Sequence, residues 1–295
     1  MLKNVLQLVI VICSFIEFVR LENYLPILLW HSAGAPCIGT EINTYINFIK
    51  LKLGNDVYIR SACLDNNPSI DNFKSLTIHP FDQIKYIHNV ILHDKKFANG
   101  YNAIGLSQGG LFMRALAQMY PNPPMRNLIT LGTPHQGVHH YPRCQQTLGS
   151  ICNHIRSSIN HIAYLPWIQK SVVPLTYWHD TNHQRYRRKS SFLAVINNER
   201  YYNENYVSNL LKLNRIVLVK YRKDISIVPS ESSWFGYYNS NRVEYPMEET
   251  EIYKKNSLGL RYLKDSGKMV FLMGPVDHLN FDPAWFELNI IPYLI

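Results

Sequence analysis

Five short apolar runs recur along the chain, each closed by small or turn-forming residues. Leu25 to Trp30 stops at His31-Ser-Ala-Gly-Ala-Pro36, Tyr101 to Leu106 at Ser107-Gln-Gly-Gly110, and Leu128 to Leu131 at Gly132-Thr-Pro134. Arg215 to Tyr221, nearly all aliphatic, and Met269 to Met273 come much later. Runs of this length bounded by turn signals predict buried strands. After Ser107 the period changes. Leu111, Phe112, Leu116, Ala117 and Tyr120 fall on one side of a helix, which Pro121 and the Pro123-Pro124 pair end. Buried strands alternating with helices predict an α/β fold with a mostly parallel central sheet and helices on both faces. The stretch of about 138–212 is too long for a simple crossover. Its helical spacing around Ile151 to Ile168 and Tyr206 to Leu213 predicts an inserted helical lobe over the carboxyl edge of the sheet. Such a lobe either shapes a pocket or only covers that edge.

The ends and the composition bound the setting. Lys3 precedes an apolar run from Val5 to Ile16, closed by Glu17 and Arg20. A run of that length falls short of the roughly 20 residues that span a bilayer, and it predicts a signal peptide over residues 1–20, with one domain over 21–295. The 295 residues are 46% hydrophobic and 17% charged, which excludes a disordered or fibrous chain. Thirty Lys and Arg against 21 Asp and Glu give a net charge of +9. That favours acidic partners. Nucleic acid is not expected, because no basic stripe carries interleaved aromatics, and the cluster Arg185 to Lys189 reads as a solvated turn. Four cysteines remain beyond the leader: Cys37, Cys63, Cys144 and Cys152. An even number suits disulfides in an oxidising compartment. A Cys144–Cys152 bridge would close a small polar loop, worth about 2–3 kcal/mol. Spacing alone leaves open whether Cys37 pairs with Cys63. Without a Cys-x-x-Cys pair, no metal site is expected.

Gly105-Leu-Ser107-Gln-Gly109 is a G-x-S-x-G elbow, set between an apolar strand and an amphipathic helix as the α/β-hydrolase fold requires. The serine occupies a turn too tight for neighbouring side chains. Its hydroxyl needs a base, and the base needs an acid to fix its tautomer. In this fold the order is serine, acid, histidine, each after a strand. Asp224 follows Arg215 to Tyr221, and His278 follows Met269 to Met273. Glu231 and Asp277 are rival acids, but Glu231 lies farther from the strand end and Asp277 points away from its neighbour His278. His183 precedes every candidate acid and fails the order. The amide of Gln108 provides one oxyanion donor, and the loop after the first strand, at Ala33, the second. His31 reads as structural.

Tyr101-Asn-Ala-Ile-Gly-Leu-Ser-Gln-Gly-Gly110, His135-Gln-Gly-Val138, Pro142-Arg-Cys144, Tyr177-Trp-His-Asp180, Ser233-Trp-Phe-Gly236, Leu258-Gly-Leu260 and Asp277-His-Leu279 together resemble the palmitoyl-protein thioesterases, nearest the type-1 branch. The resemblance runs from about residue 25 to the C-terminus. It implies the nucleophile at Ser107, the acid at Asp224, the base at His278, oxyanion amides at Gln108 and Ala33, and a Cys144–Cys152 disulfide. It further implies hydrolysis of long-chain acyl thioesters on S-palmitoylated proteins or peptides without a cofactor. A lipase or carboxylesterase acting on oxygen esters is the alternative. A monomer with peripheral contact to anionic membrane is expected. This chain departs from the family in three ways. Ser32 stands where the family has glycine, Ala33 replaces a methionine, and Cys37 is alone where the type-1 branch has adjacent cysteines, which makes Cys63 a candidate new partner. The sequence also lacks an Asn-x-Ser/Thr sequon, so the expected destination is the lysosome by a route independent of glycans, or secretion.

Overall fold

Alternate residues of each central strand serve opposite faces, and two hydrophobic layers result. In β1 (Ile27–Trp30), Ile27 and Leu29 join one cluster while Leu28 and Trp30 join the other. Strand β3 (Tyr101–Leu106) divides in the same way, with Ile104 and Leu106 opposite Tyr101 and Ala103. A strand covered on both faces must be apolar throughout, which is why these segments read as continuous runs. The computed structural model describes residues 24–139, 158–239 and 241–295. The expected leader, Cys144 and Cys152 lie outside them.

Between β1 and β3 stand α1 (Thr40–Leu53), β2 (Ile59–Ser61), α2 (Pro68–Thr77) and α3 (Pro80–Leu92), none of which was marked by the strand runs. Strand β2 is a half-buried Ile-Arg-Ser at the sheet edge. Helix α2 fully buries only Asp71 and Ser75, so it carries no apolar period to read. Helix α4 (Gln108–Met119) follows β3 at once and begins three residues before the apolar spacing does. Its first turn is Gln-Gly-Gly, which has no apolar side chain to reveal it. Next come β4 (Met125–Leu131) and the helices α5 (Pro166–Ser171), α6 (Val173–Thr176), α7 (His183–Lys189), α8 (Leu193–Ile196) and α9 (Glu204–Leu211). Helix α9 packs along α4, where Asn209 Nδ2 donates to Gln118 O at 2.9 Å. The chain then forms β5 (Arg215–Tyr221), a small antiparallel ribbon of β6 (Tyr237–Tyr238) and β7 (Glu244–Tyr245), α10 (Glu251–Lys254), α11 (Leu260–Asp265), β8 (Met269–Gly274) and α12 (Pro283–Asn289).

The six-stranded sheet has the order β2-β1-β3-β4-β5-β8, with every pair parallel. All post-strand loops therefore meet at one edge. The chain moves outward from β1 to β2 and returns on the other side of β1 to β3. The order thus reverses between β1 and β3, and the crevice outside their carboxyl ends is where such a sheet can hold a ligand. Helices α1 and α12 cover one face, with Ile42, Tyr45 and Ile49 packed near Phe286 and Ile290, and α3, α4 and α9 cover the other.

Candidate active site

Ser107 follows β3 in a turn that excludes a side chain two residues to either side. A Cβ on Gly105 would stand 2.2 Å from Gly110 Cα, and one on Gly109 would stand 2.4 Å from Trp30 O and 2.5 Å from His31 O. Gly105 lets the start of α4 lie against β3, and Gly109 lets it rest directly on the end of β1, so the serine and the first loop share the crevice. Ser107 itself has φ 51° and ψ −116°, a conformation costing an L-residue about 1–3 kcal/mol. Its backbone is held there. The Ser107 N–H donates to Leu131 O at 2.8 Å, and Thr133 Oγ1 donates to Ser107 O at 3.0 Å. We expect Gly109→Ala to lower stability by about 1–3 kcal/mol by forcing α4 off β1, and to disturb the placement of Ser107 with it. Thermal denaturation alongside an activity assay checks both effects.

Asp224 and His278 come from loops after β5 and β8, adjacent strands in the sheet. The Asp224 side chain is wholly buried, and its Oδ1 accepts from the N–H groups of Ser226 and Ile227, each at 2.8 Å. That leaves Oδ2 to accept from His278 Nδ1 at 2.8 Å. A proton on Nδ1 leaves Nε2 with a free lone pair, the tautomer a general base needs. The ring lies against Gly132, where a Cβ would come within 2.8 Å of Nδ1 and Cε1. Ser107 and His278 line one cavity of about 390 Å³, with Ala33 at one side and Val138, Pro174, Tyr177 and Ile227 as apolar wall. This size falls within the roughly 300–1,000 Å³ of ligand pockets.

The rival groups lie elsewhere. Glu231 pairs with Lys220, whose ammonium sits 3.9 Å from the centroid of the Trp234 ring. Asp277 is exposed. His183 Nδ1 lies 3.1 Å from His179 Nε2, and burial together with Arg187 pushes its pKa down.

Other residues that hold the site gave little sequence signal. The Gln108 side chain is fixed from two sides, its Nε2 donating to Ser75 O at 3.2 Å and its Oε1 accepting from Tyr177 Oη at 3.0 Å. Arg114, fully buried on α4, donates from Nη2 to Asn197 Oδ1 at 2.7 Å and to His135 O at 3.3 Å, tying that helix to α8 and the β4 loop. Burial pushes its pKa down to about 9. Asp71 anchors the loop after β1. Its Oδ2 accepts from Cys37 N–H at 2.7 Å, while Oδ1 accepts from Leu64 N–H at 2.7 Å and Asp65 N–H at 3.3 Å. A Cys37–Cys63 disulfide fastens the same two loops. We expect Asp71→Ala to cost about 3 kcal/mol, since three amides lose their acceptor in a buried place. Chemical denaturation measures this.

Similarity to known proteins agrees with the geometry. The family model described as palmitoyl protein thioesterase matches residues 26–278. The chain is 38% identical over 280 residues to palmitoyl-protein thioesterase 1 of Caenorhabditis elegans, covering 93% of each. It is 32% identical over 253 residues to palmitoyl-protein thioesterase 3 of Dictyostelium discoideum, covering 81% of this chain and 82% of that one. It is also 35% identical over 205 residues to lysosomal thioesterase PPT2 of Homo sapiens, covering 68% and 67%. A match over most of the chain to one family of hydrolases, on an α/β sheet with the serine elbow at its switch point, means that this chain belongs to the palmitoyl protein thioesterase family.

Proposed function

We propose that the chain hydrolyses long-chain acyl thioesters on the cysteines of S-palmitoylated proteins or peptides, with Ser107 as nucleophile, His278 as base and Asp224 as the acid that orients it. The observation that carries this reading is the Asp224–His278 hydrogen bond, with His278 and Ser107 lining one largely apolar cavity. His278 Nε2 takes the Ser107 proton as Oγ attacks the thioester carbonyl. The amides of Gln108 and Ala33 hold the oxyanion. The C–S bond then breaks, and His278 returns the proton to the departing thiolate. Water, deprotonated by the same histidine, attacks the acyl-serine and releases fatty acid and free Ser107. The residues in this scheme suffice without a metal or organic cofactor. The apolar wall from Val138 to Ile227 suits an acyl chain rather than a polar acid.

Turnover of a palmitoyl-cysteine peptide beside a palmitoyl oxygen ester of the same peptide tests the substrate class. We expect a larger kcat/KM for the thioester. Turnover of the oxygen ester alone would make the protein a lipase or carboxylesterase.

The proposed setting is the lysosome, reached through the secretory pathway. The Cys37–Cys63 disulfide fits an oxidising route, and several relatives are named lysosomal thioesterases. We further propose that a monomer works at anionic membrane. Ile225 is 62% exposed in the loop after β5, near exposed Arg222 and Lys223 and next to Ser226 and Ile227, which line the cavity. An apolar residue flanked by cations suits an anionic bilayer surface. Sedimentation with phosphatidylserine vesicles should exceed that with phosphatidylcholine vesicles, and Ile225→Asp should reduce it. Equal recovery in all three would reject the membrane contact.

A further inference from the structure

We propose that Glu41 is a positioning residue for the oxyanion loop, holding Ser32 so that the Ala33 amide is aimed before substrate arrives. This inference rests on the proposed serine mechanism and adds a residue to it. Glu41 stands in the first turn of α1. Its Oε1 accepts from Ser32 Oγ at 2.7 Å, and its Oε2 accepts from Ser32 N–H at 3.0 Å. The remaining polar atom of Ser32 is also engaged. Its carbonyl oxygen accepts from His31 Nδ1 at 2.9 Å and from Ala35 N–H at 3.3 Å. Every hydrogen-bonding group of Ser32 thus has a partner.

The consequence follows from peptide geometry. The Ser32 carbonyl and the Ala33 N–H belong to one planar trans peptide unit and point in opposite directions. Holding the carbonyl toward His31 and Ala35 aims the Ala33 N–H the other way, and Glu41 fixes the residue to which that plane is attached. Ser32 and Ala33 both line the cavity that holds Ser107. A donor set before the reaction stabilises developing charge without reorganising, which is where oxyanion donors gain most of their effect. Ala33 and Gly34 are exposed and Gly34 has φ 79°, and the other braces of the loop lie farther along it, where Asn72 Nδ2 donates to Gly34 O at 2.9 Å and Asp71 Oδ2 accepts from Cys37 N–H. The carboxylate itself is placed where the amino end of α1 favours negative charge.

The test uses the full chain with Glu41→Ala, Glu41→Gln and, in parallel, Ser107→Ala. Three readouts are taken: kcat and KM on a palmitoyl-cysteine peptide, the inhibition constant of a long-chain alkyl trifluoromethyl ketone, and the Tm. Addition of that ketone to Ser107 creates an oxyanion in the ground state. Loss of a whole oxyanion donor costs about 10²–10³-fold. Misaiming should cost less, and we expect kcat to fall about tenfold in Glu41→Ala with KM unchanged, the ketone to weaken by the same factor, and Glu41→Gln to recover most of both through its remaining acceptor oxygen. Unchanged kcat in Glu41→Ala, or a kcat loss that tracks Tm while ketone inhibition stays at the parent value, would overturn the assignment of Glu41. If Ser107→Ala retains full turnover, the serine mechanism fails and Glu41 has no oxyanion loop to position.

Discussion

Ser107→Ala is expected to lower hydrolysis of a palmitoyl-cysteine peptide by about 10⁴-fold or more, with the fold intact. The size of the effect follows from what the elbow supplies. The strained turn, the two flanking glycines and the hydrogen bonds to Leu131 and Thr133 all remain when Oγ is removed. Only the proposed nucleophile is lost. Alanine tolerates φ 51° no worse than serine does, so Tm should stay within a few degrees of the parent. Steady-state kinetics with a Tm measurement on the same sample separates lost chemistry from lost structure. A variant that keeps parental turnover would place the nucleophile elsewhere.

The second large effect is Asp224→Asn, for which a loss of about 10³–10⁴-fold in kcat is expected. Here the surroundings dictate how the amide must sit. The N–H groups of Ser226 and Ile227 both donate to Oδ1 at 2.8 Å, so the asparagine oxygen must take that place. Its NH₂ group is then turned toward His278 Nδ1, where Oδ2 accepted a proton. Two donors would face each other, and the ring relieves this by carrying its proton on Nε2. That tautomer cannot accept the Ser107 proton. The defect is therefore in kcat, with KM for the acyl chain little changed, since the apolar wall is untouched. Asp224→Asn with parental kcat would transfer the orienting role to another group.

The strands and the serine elbow were legible because burial on both faces forces unbroken apolar runs, and because a turn this tight admits only glycine two residues to either side of the serine. Arg215 to Tyr221 matches β5 residue for residue for the first of these reasons. That Asp224 and His278, the proposed acid and base, lie together followed from chain order, which a parallel sheet translates into adjacency at one edge. The braces of the site were not legible. Asp71 lies in an Ile-Asp-Asn stretch with nothing to mark it as a buried acceptor of three amides. Arg114 looks like the polar face of an amphipathic helix, yet it is fully buried because α8 and the β4 loop close over it. Such roles depend on which distant segment arrives above a residue. No local period records that. The pairing of Cys37 with Cys63 was open for a similar reason: it depends on the loops after β1 and β2 lying side by side, which follows from the parallel pairing of those strands.

The account stands on an acyl chain passing through Ser107. The direct measurement is rapid acid quench of the enzyme during turnover of a palmitoyl-cysteine substrate, followed by peptide mass mapping. A palmitoyl group carried on the peptide containing Ser107, absent in Ser107→Ala and accumulating when water attack is slowed, is the predicted result. Palmitate released at full rate with no acyl adduct on that peptide, or with the adduct on another residue such as Ser226, would contradict it.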